Sequence, residues 1–435
     1  MTTFGISHPR LSSEERVRKL ILLAFHDPIP EECARLRRLS RAQWKRLLHW
    51  LDTSGLALYL LDRLFASEHL GWLPEHVLTR LEENLADNMQ RSNAMFAECV
   101  LIQQQFKQAG ISYAILKGFS LWPTAVPAPE LRSQLDLDFL LAERHVPKAQ
   151  QILESNGYQL RAVSGRSGEY KTPVQAVTGR SLEFKTPHPP SLSIKDLYKN
   201  HPGRSIELHV EGTPPNGPSL LDSVETRTLR GYLMPVLPPV DLFLGVSLHF
   251  HKHVCSAAYR CAHMVEFRKQ VLWHRDDIAF WNCVRARAEN NTRLRLALGV
   301  VTLLATHAIG DFAPDALTSW TVDRLPPAIR LWVETHGLRC ALASFPGKKL
   351  YLLLQRELEA EGAVPRSSLQ HALLPSYLPP RLACKSPNAP LILRIKQAWK
   401  QLIYIFLRLR FHVIEGLCYA WAAHRWQRQV HQISK

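Results

Sequence analysis

Two aspartates, Asp136 and Asp138, stand in the segment Leu135-Asp136-Leu137-Asp138-Phe139-Leu140-Leu141. Apolar and acidic residues alternate there, which predicts a half-buried β-strand. Residues i and i+2 of a strand point the same way. Both carboxylates therefore share one face, and Leu135, Leu137 and Phe139 are expected to turn towards a core. Paired anionic oxygens suit a hard divalent cation such as Mg²⁺ or Mn²⁺. Two such ions can clamp an in-line displacement at phosphorus. An Asp-x-Asp pair alone is also what the wet face of an ordinary strand looks like, so the weight falls on its neighbours.

Upstream, Ile111-Ser112-Tyr113-Ala114-Ile115-Leu116 reads as a strand that runs into Lys117-Gly118. Phe119 and Ser120 then open an apolar segment expected to be helical. Arg132 lies between that segment and the aspartates. Downstream, Arg204-Ser205-Ile206-Glu207-Leu208-His209-Val210 alternates again and sets Glu207 and His209 on one face. Each of these residues also has a plain reading. Lys117 reads as a solvated lysine at a strand end, Arg132 as a surface salt-bridge partner of Asp136 or Asp138, Glu207 as one more outward acid, and His209 as structural.

The sequence of strand, Lys-Gly turn, helix, Arg, Asp-x-Asp strand, helix and a strand with a third carboxylate resembles the DNA polymerase β-type nucleotidyltransferase superfamily. It resembles more closely a bacterial family described only as uncharacterised nucleotidyltransferases. The resemblance rests on Leu116-Lys117-Gly118, Arg132, Asp136-Leu137-Asp138 and Glu207-Leu208-His209, and spans about residues 111 to 211. It implies that Asp136, Asp138 and Glu207 hold Mg²⁺ or Mn²⁺ against an NTP, with Glu207 also placed to take the acceptor's proton. It implies that Lys117 and Arg132 neutralise the triphosphate, that Gly118 admits phosphate close to the backbone, and that Ser120 bonds a phosphate oxygen. His209 would orient Glu207 or touch substrate. The wider superfamily more often has Asp where Glu207 stands, and the offset of Ser120 differs slightly from its Gly-Ser pair.

These residues need a sheet to align them. The expected fold is α+β: a central mixed sheet over residues 109–235, flanked by an N-terminal helical region, 1–108, and a C-terminal one, 236–345. Ser12-Ser13-Glu14-Glu15 reads as a helix cap followed by first-turn acids. A helix is expected from about Glu143 to Asn156, ending at Gly157. The stretch 164–203, rich in Ser, Gly, Pro, Lys and Thr, reads as a flexible insertion, either a flap over the site or a floppy connection. Residues 346–390 read as a Pro-rich linker or irregular cover.

In the C-terminal helical region, His249 and His253 are four apart and so share a helical face. Cys255, Cys261 and His263 follow closely. A zinc site is one reading of this group. The favoured one is that the histidines line the interface with the sheet, where His249 or His253 contacts nucleotide or acceptor or supports the site. The tail 391–435 is a basic amphipathic helix by pattern, with seven Lys or Arg between Leu391 and Gln429 among Leu, Ile, Phe, Tyr and Trp. Ile392, Ile395, Trp399, Leu402, Ile403 and Phe406 form a stripe suited to packing, so the tail is expected to dock on its own protein. Lying on a membrane surface is the other reading.

The 54 Lys and Arg outnumber 38 acids, for a net charge of +16, which favours polyanions without choosing among nucleotides, nucleic acid and anionic lipid. The eight cysteines are scattered with no Cys-x-x-Cys, which excludes a disulfide scaffold and suits the cytoplasm. There is no secretory signal pattern and no run that reads as a membrane span. The expected function is therefore metal-dependent transfer of a nucleoside monophosphate from an NTP to a small molecule, protein or RNA. The alternative is a non-catalytic protein of the same fold that binds nucleic acid, membrane or a protein partner through its basic surface. No residue signals a base preference.

Overall fold

A computed structural model describes residues 11–164, 178–185, 196–200, 205–211, 219–257, 259–364, 369–373 and 390–433. The chain opens with helices α1 (Ser13–Leu23), α2 (Arg41–Ser54), α3 (Ala57–Ala66) and the 34-residue α4 (Glu75–Gln108). Ser12 caps α1 by accepting from the Glu15 amide, while the Glu15 carboxylate accepts from the Ser12 amide. That reciprocal pair satisfies two donors that a helix start leaves free.

The sheet follows: β1 (Tyr113–Ile115), β2 (Asp136–Ala142), then α5 (Val146–Ser155), β3 (Gln159–Ser164), β4 (Thr178–Lys185), β5 (Ser205–Glu211), β6 (Glu225–Leu229) and β7 (Tyr232–Val236). Its order is β3-β4-β5-β2-β1-β7-β6. β2 is antiparallel to β1 and parallel to β5. A parallel neighbour requires a long crossover, and α5 with the β3–β4 pair supplies it. The protein is thus α+β, with a seven-stranded mixed sheet and helical regions on both sides of it in sequence.

Helices α6 (Pro239–Val254), α7 (Ala262–Trp273), α8 (Ile278–Ala288), α9 (Thr292–Ile309), α10 (Tyr351–Ala360) and α11 (Leu391–Ile433) complete the main elements. Among the described residues, two large apolar clusters make up most of the interior. One joins α4, α5 and the sheet through Phe106, Phe139, Leu153 and Leu208. The other joins the N-terminal helices to those after the sheet, through residues such as Trp44, Leu51, Phe267, Leu298 and Trp332. The two helical regions, apart in sequence, share one core in space. Among the described residues, α9 alone is long and apolar enough to cross a membrane, and 72% of it is buried inside the protein, as befits a core helix.

Four expectations need correction. β2 is not half-wet: Leu137 and Phe139 are buried, but so is Asp138, while Leu135 lies outside the strand and is exposed. The reason is that β2 is a central strand and the helices after the sheet roof its polar face. The segment after Lys117 is a 3₁₀ turn, Gly118–Leu121, rather than a helix. Within the expected insertion, 178–185 is strand β4, paired along β5, while 165–177, 186–195 and 201–203 lie outside the described residues. Within the expected linker, Tyr351–Ala360 is a helix whose Leu352, Leu353, Leu354 and Leu358 belong to the core.

The tail also differs. Helix α11 forms, but its packed residues are Tyr419, Ala422 and Trp426. The expected packing stripe, Ile392, Ile395, Trp399, Leu402, Ile403 and Phe406, is exposed. Trp426 donates from Nε1 to Glu357 of α10 at 2.8 Å, and that anchors the far half of the helix.

Candidate active site

The register of β2 and β5 sets the site. Asp136 is opposite Ser205, Asp138 opposite Glu207, and Leu140 opposite His209. With a side-chain period of two, Asp136, Asp138, Glu207 and His209 all project from the same face. The other face carries Leu137, Phe139 and Leu141 into the core against α4, with the Phe139 ring 5.6 Å from that of Phe106.

Asp138 is the hub. Its Oδ1 accepts from Lys117 Nζ at 2.7 Å and lies 2.8 Å from His209 Nε2. His209 Nε2 is also 3.5 Å from Glu207 Oε2, so this imidazole sits between the two acids. Ligand atoms of Asp138, Glu207 and His209 lie within 4.8 Å of one another, a spacing that one cation can gather. Asp136 stands outside that trio, one pleat along the same face, and lines the adjoining cavity. Burial works to raise the Asp138 pKa, but the Lys117 ammonium and the His209 hydrogen bond outweigh it. They hold the carboxyl well below the usual carboxylate range. Burial likewise opposes charge on Lys117, and Asp138, Asp136 and Glu207 outweigh it.

Asp136 is pushed the other way. Burial, and then the neighbouring Asp138 charge, raise its pKa to about 6. The folded chain therefore holds that proton more tightly than the unfolded one, whose carboxyl has the ordinary value of 3.8. Its contribution to stability is complete below about pH 4 and is lost as pH rises through 6. A cation that Asp136 helped to hold would need its ionised form. Mn²⁺ affinity is expected to fall about tenfold per pH unit below 6 as one proton is displaced. Calorimetric titration on either side of that value checks this, and Asp136→Asn should flatten the dependence.

The loop before β2 is pinned from α4. Asn88 Nδ2 donates to the carbonyls of Glu130 and Arg132, and Arg91 Nε donates to that of Gln134. Gln134 Nε2 in turn donates to the Asp136 carbonyl at 2.7 Å. Gly118 packs on the same glutamine. Its φ is +64°, and a Cβ there would meet Gln134 Nε2 at 2.2 Å. Glycine is demanded by both conformation and space. Gly118→Ala is expected to cost about 1–3 kcal/mol, read as a lower midpoint in urea.

Arg132 does not pair with either aspartate. Its Nε donates to Glu266 Oε1 of α7 at 3.0 Å. Glu266 also accepts from the Tyr59 hydroxyl of α3 at 3.0 Å and lies 3.3 Å from His263 Nδ1. Burial pushes the Glu266 pKa up, yet Arg132 and His263 bring it down to about 2. Helices from both sides of the sheet in sequence thus meet at one carboxylate.

Leu116, Lys117, Arg132, Asp136, Glu207 and His209 line a cavity of about 220 Å³ with Gly245, Val246, His249 and Lys252 of α6 and His263 and Glu266 of α7. His249, His253 and His263 form a cluster with ring centroids 4.6–4.8 Å apart. Burial, and then His263 and Lys117, push His249 well below its ordinary pKa, so it is neutral at pH 7. These three imidazoles could hold a metal ion or donate to phosphate oxygens. The nearby cysteines stand apart from them: Cys255 lies against His251, and Cys261 donates to the Ala341 carbonyl. Ser120 does not line the cavity, and its buried Oγ has no hydrogen-bond partner.

Glu266, Tyr59, Gln134 and Lys252 are the residues that sequence reasoning missed. Lys252 shares a helical face with His249 and His253, and Glu266 lies three residues after His263, so helical spacing carried a signal for both. Tyr59 and Gln134 had none.

Acids from two parallel strands facing a cavity with cationic walls define an α+β protein equipped for phosphate chemistry. The chain belongs to the uncharacterised nucleotidyltransferase family, whose model matches residues 40–310. Membership supports nucleotidyl transfer as its general chemistry. No curated protein matches the chain.

Proposed function

We propose that this chain is an enzyme that transfers a nucleoside monophosphate from an NTP to an acceptor in a reaction dependent on Mg²⁺ or Mn²⁺. One observation carries the reading. Asp136, Asp138 and Glu207 leave two adjacent parallel strands on the same face, beside a cavity lined by Lys117 and Arg132.

Asp138 and Glu207, joined by Asp136, are the residues that would hold the cation. A divalent ion bound there supplies charge neutralisation for the triphosphate and the leaving pyrophosphate. His209 fixes the Asp138 carboxylate in position and keeps it anionic. Glu207 receives the proton that the acceptor's hydroxyl, phosphate or amine loses as it attacks the α-phosphorus. The bond between α-phosphorus and the bridging oxygen breaks, and pyrophosphate leaves. Lys117 exchanges its contact with Asp138 for a phosphate oxygen. Arg132, aligned by Glu266, presents its remaining guanidinium N–H groups to the triphosphate. His249 and His253 face the substrate or support those that do.

Incubation with each NTP labelled at the α-phosphate, with Mg²⁺ or Mn²⁺ and a cell extract, should label an acceptor. The Asp136→Ala/Asp138→Ala double variant should label nothing. Equal labelling by that variant would overturn the reading in favour of a non-catalytic binding protein.

A further inference from the structure

Helix α11 presents an unusual surface. Ile395, Trp399, Leu402, Phe406, Leu409 and Val413 recur every three or four residues, so they share one side of the helix. Each is 49–65% exposed. The side that packs on the protein, marked by Tyr419, Ala422 and Trp426, lies roughly 150° around the helix axis from this stripe. An apolar strip of this length left in water marks an interaction surface.

Charge selects the occupant. The helix carries Arg394, Lys396, Lys400, Arg408, Arg410, Arg425 and Arg428 against a single acid, Glu415. A second copy would bring the same excess and repel it. A nucleic acid would satisfy the cations but offers no apolar phase for Trp399 and Phe406. An anionic lipid bilayer satisfies both: acyl chains receive the stripe, while Lys and Arg stems reach back to the headgroups. Five of the cations fall between Arg394 and Arg410, so this stretch suits lying along a membrane and not crossing it.

We propose that the Leu391–Leu417 stretch of α11 docks the protein on an anionic membrane surface, with the Trp399–Phe406 stripe in the headgroup–acyl boundary. The inference is independent of the catalytic reading, because it uses no residue of the site.

The test is flotation of the full chain with vesicles of phosphatidylcholine alone, or with roughly one third phosphatidylserine. The chain should float with the anionic vesicles and at least tenfold less with the neutral ones. Ile395→Gln/Trp399→Gln/Phe406→Gln alters only exposed side chains and should abolish flotation without moving the melting temperature. Lys396→Gln/Lys400→Gln/Arg410→Gln should weaken it by roughly two orders of magnitude. Failure to float, or flotation that survives the stripe substitutions, overturns the proposal. Two further results also overturn it. One is a vesicle-free dimer that the stripe substitutions dissolve, which would assign the stripe to a second copy. The other is salt-dependent binding to duplex DNA, untouched by the stripe substitutions, in a protein that ignores vesicles.

Discussion

Asp138→Asn is expected to lower nucleotide transfer at least a thousandfold while the chain stays folded. The substitution keeps shape and acceptor capacity, since the amide oxygen can still receive Lys117 Nζ and the His209 ring. What it removes is a full negative charge, 2% exposed, at the point where Lys117, His209 and Glu207 converge. A carboxylate that holds a catalytic cation supports several kcal/mol of transition-state stabilisation, and about 4 kcal/mol is already a thousandfold in rate. Lys117 loses its closest anion but keeps Asp136 and Glu207 nearby, so the fold retains local charge balance. Single-turnover rates at saturating Mn²⁺, with circular dichroism to confirm folding, check this. A rate within tenfold of the parent would show that Asp138 holds no catalytic ion.

Glu266→Ala is expected to destabilise the protein by about 3–5 kcal/mol, the range for leaving one partner of a buried ion pair alone. The Glu266 side chain is 2% exposed and that of Arg132 14%, and Glu266 is also the acceptor for Tyr59. Its loss leaves a guanidinium and a phenol facing a hole between α3, α7 and the loop before β2. Glu266→Gln keeps an acceptor for both and should recover about half of that loss. Denaturant midpoints for the two variants separate charge from shape. If Ala and Gln prove equally mild, the Arg132–Glu266 pair contributes nothing to stability. Because Arg132 also lines the cavity, Glu266→Gln should raise KM for the NTP more than it lowers kcat.

That Asp136 and Asp138 share a face, and that Glu207 and His209 share one, was legible because strand alternation is a local rule; that both pairs stand on the same side of the sheet came only with the register of β2 and β5. Side chains two apart must share a face, whatever lies beyond them. The cap at Ser12 was legible for the same reason. Partners across the fold were not. Arg132 has acids four and six residues away in sequence, yet it pairs with one 134 residues on. Nothing in the local pattern distinguishes these choices, since the pairing depends on where α7 crosses the sheet.

The burial of Asp138 shows the same limit. Alternation predicts two faces but not what covers them, and here α6 and α7 roof the polar one. The α11 stripe errs in the opposite sense. Its periodicity marks an apolar face, and periodicity says nothing of whether the protein has a surface left to receive it.

The sequence by itself determined the α+β class, the strands that carry the acids, and the side of each strand on which those acids stand. These follow from steric and hydrophobic rules that act over a few residues. Only the tertiary structure decided that Glu266 aligns Arg132, that histidines from α6 and α7 form the far wall of the cavity, and that the α11 stripe faces outwards. Those arrangements are set by packing between segments that lie outside one another's local sequence, where burial and charge pairing choose among contacts that the local pattern leaves equivalent.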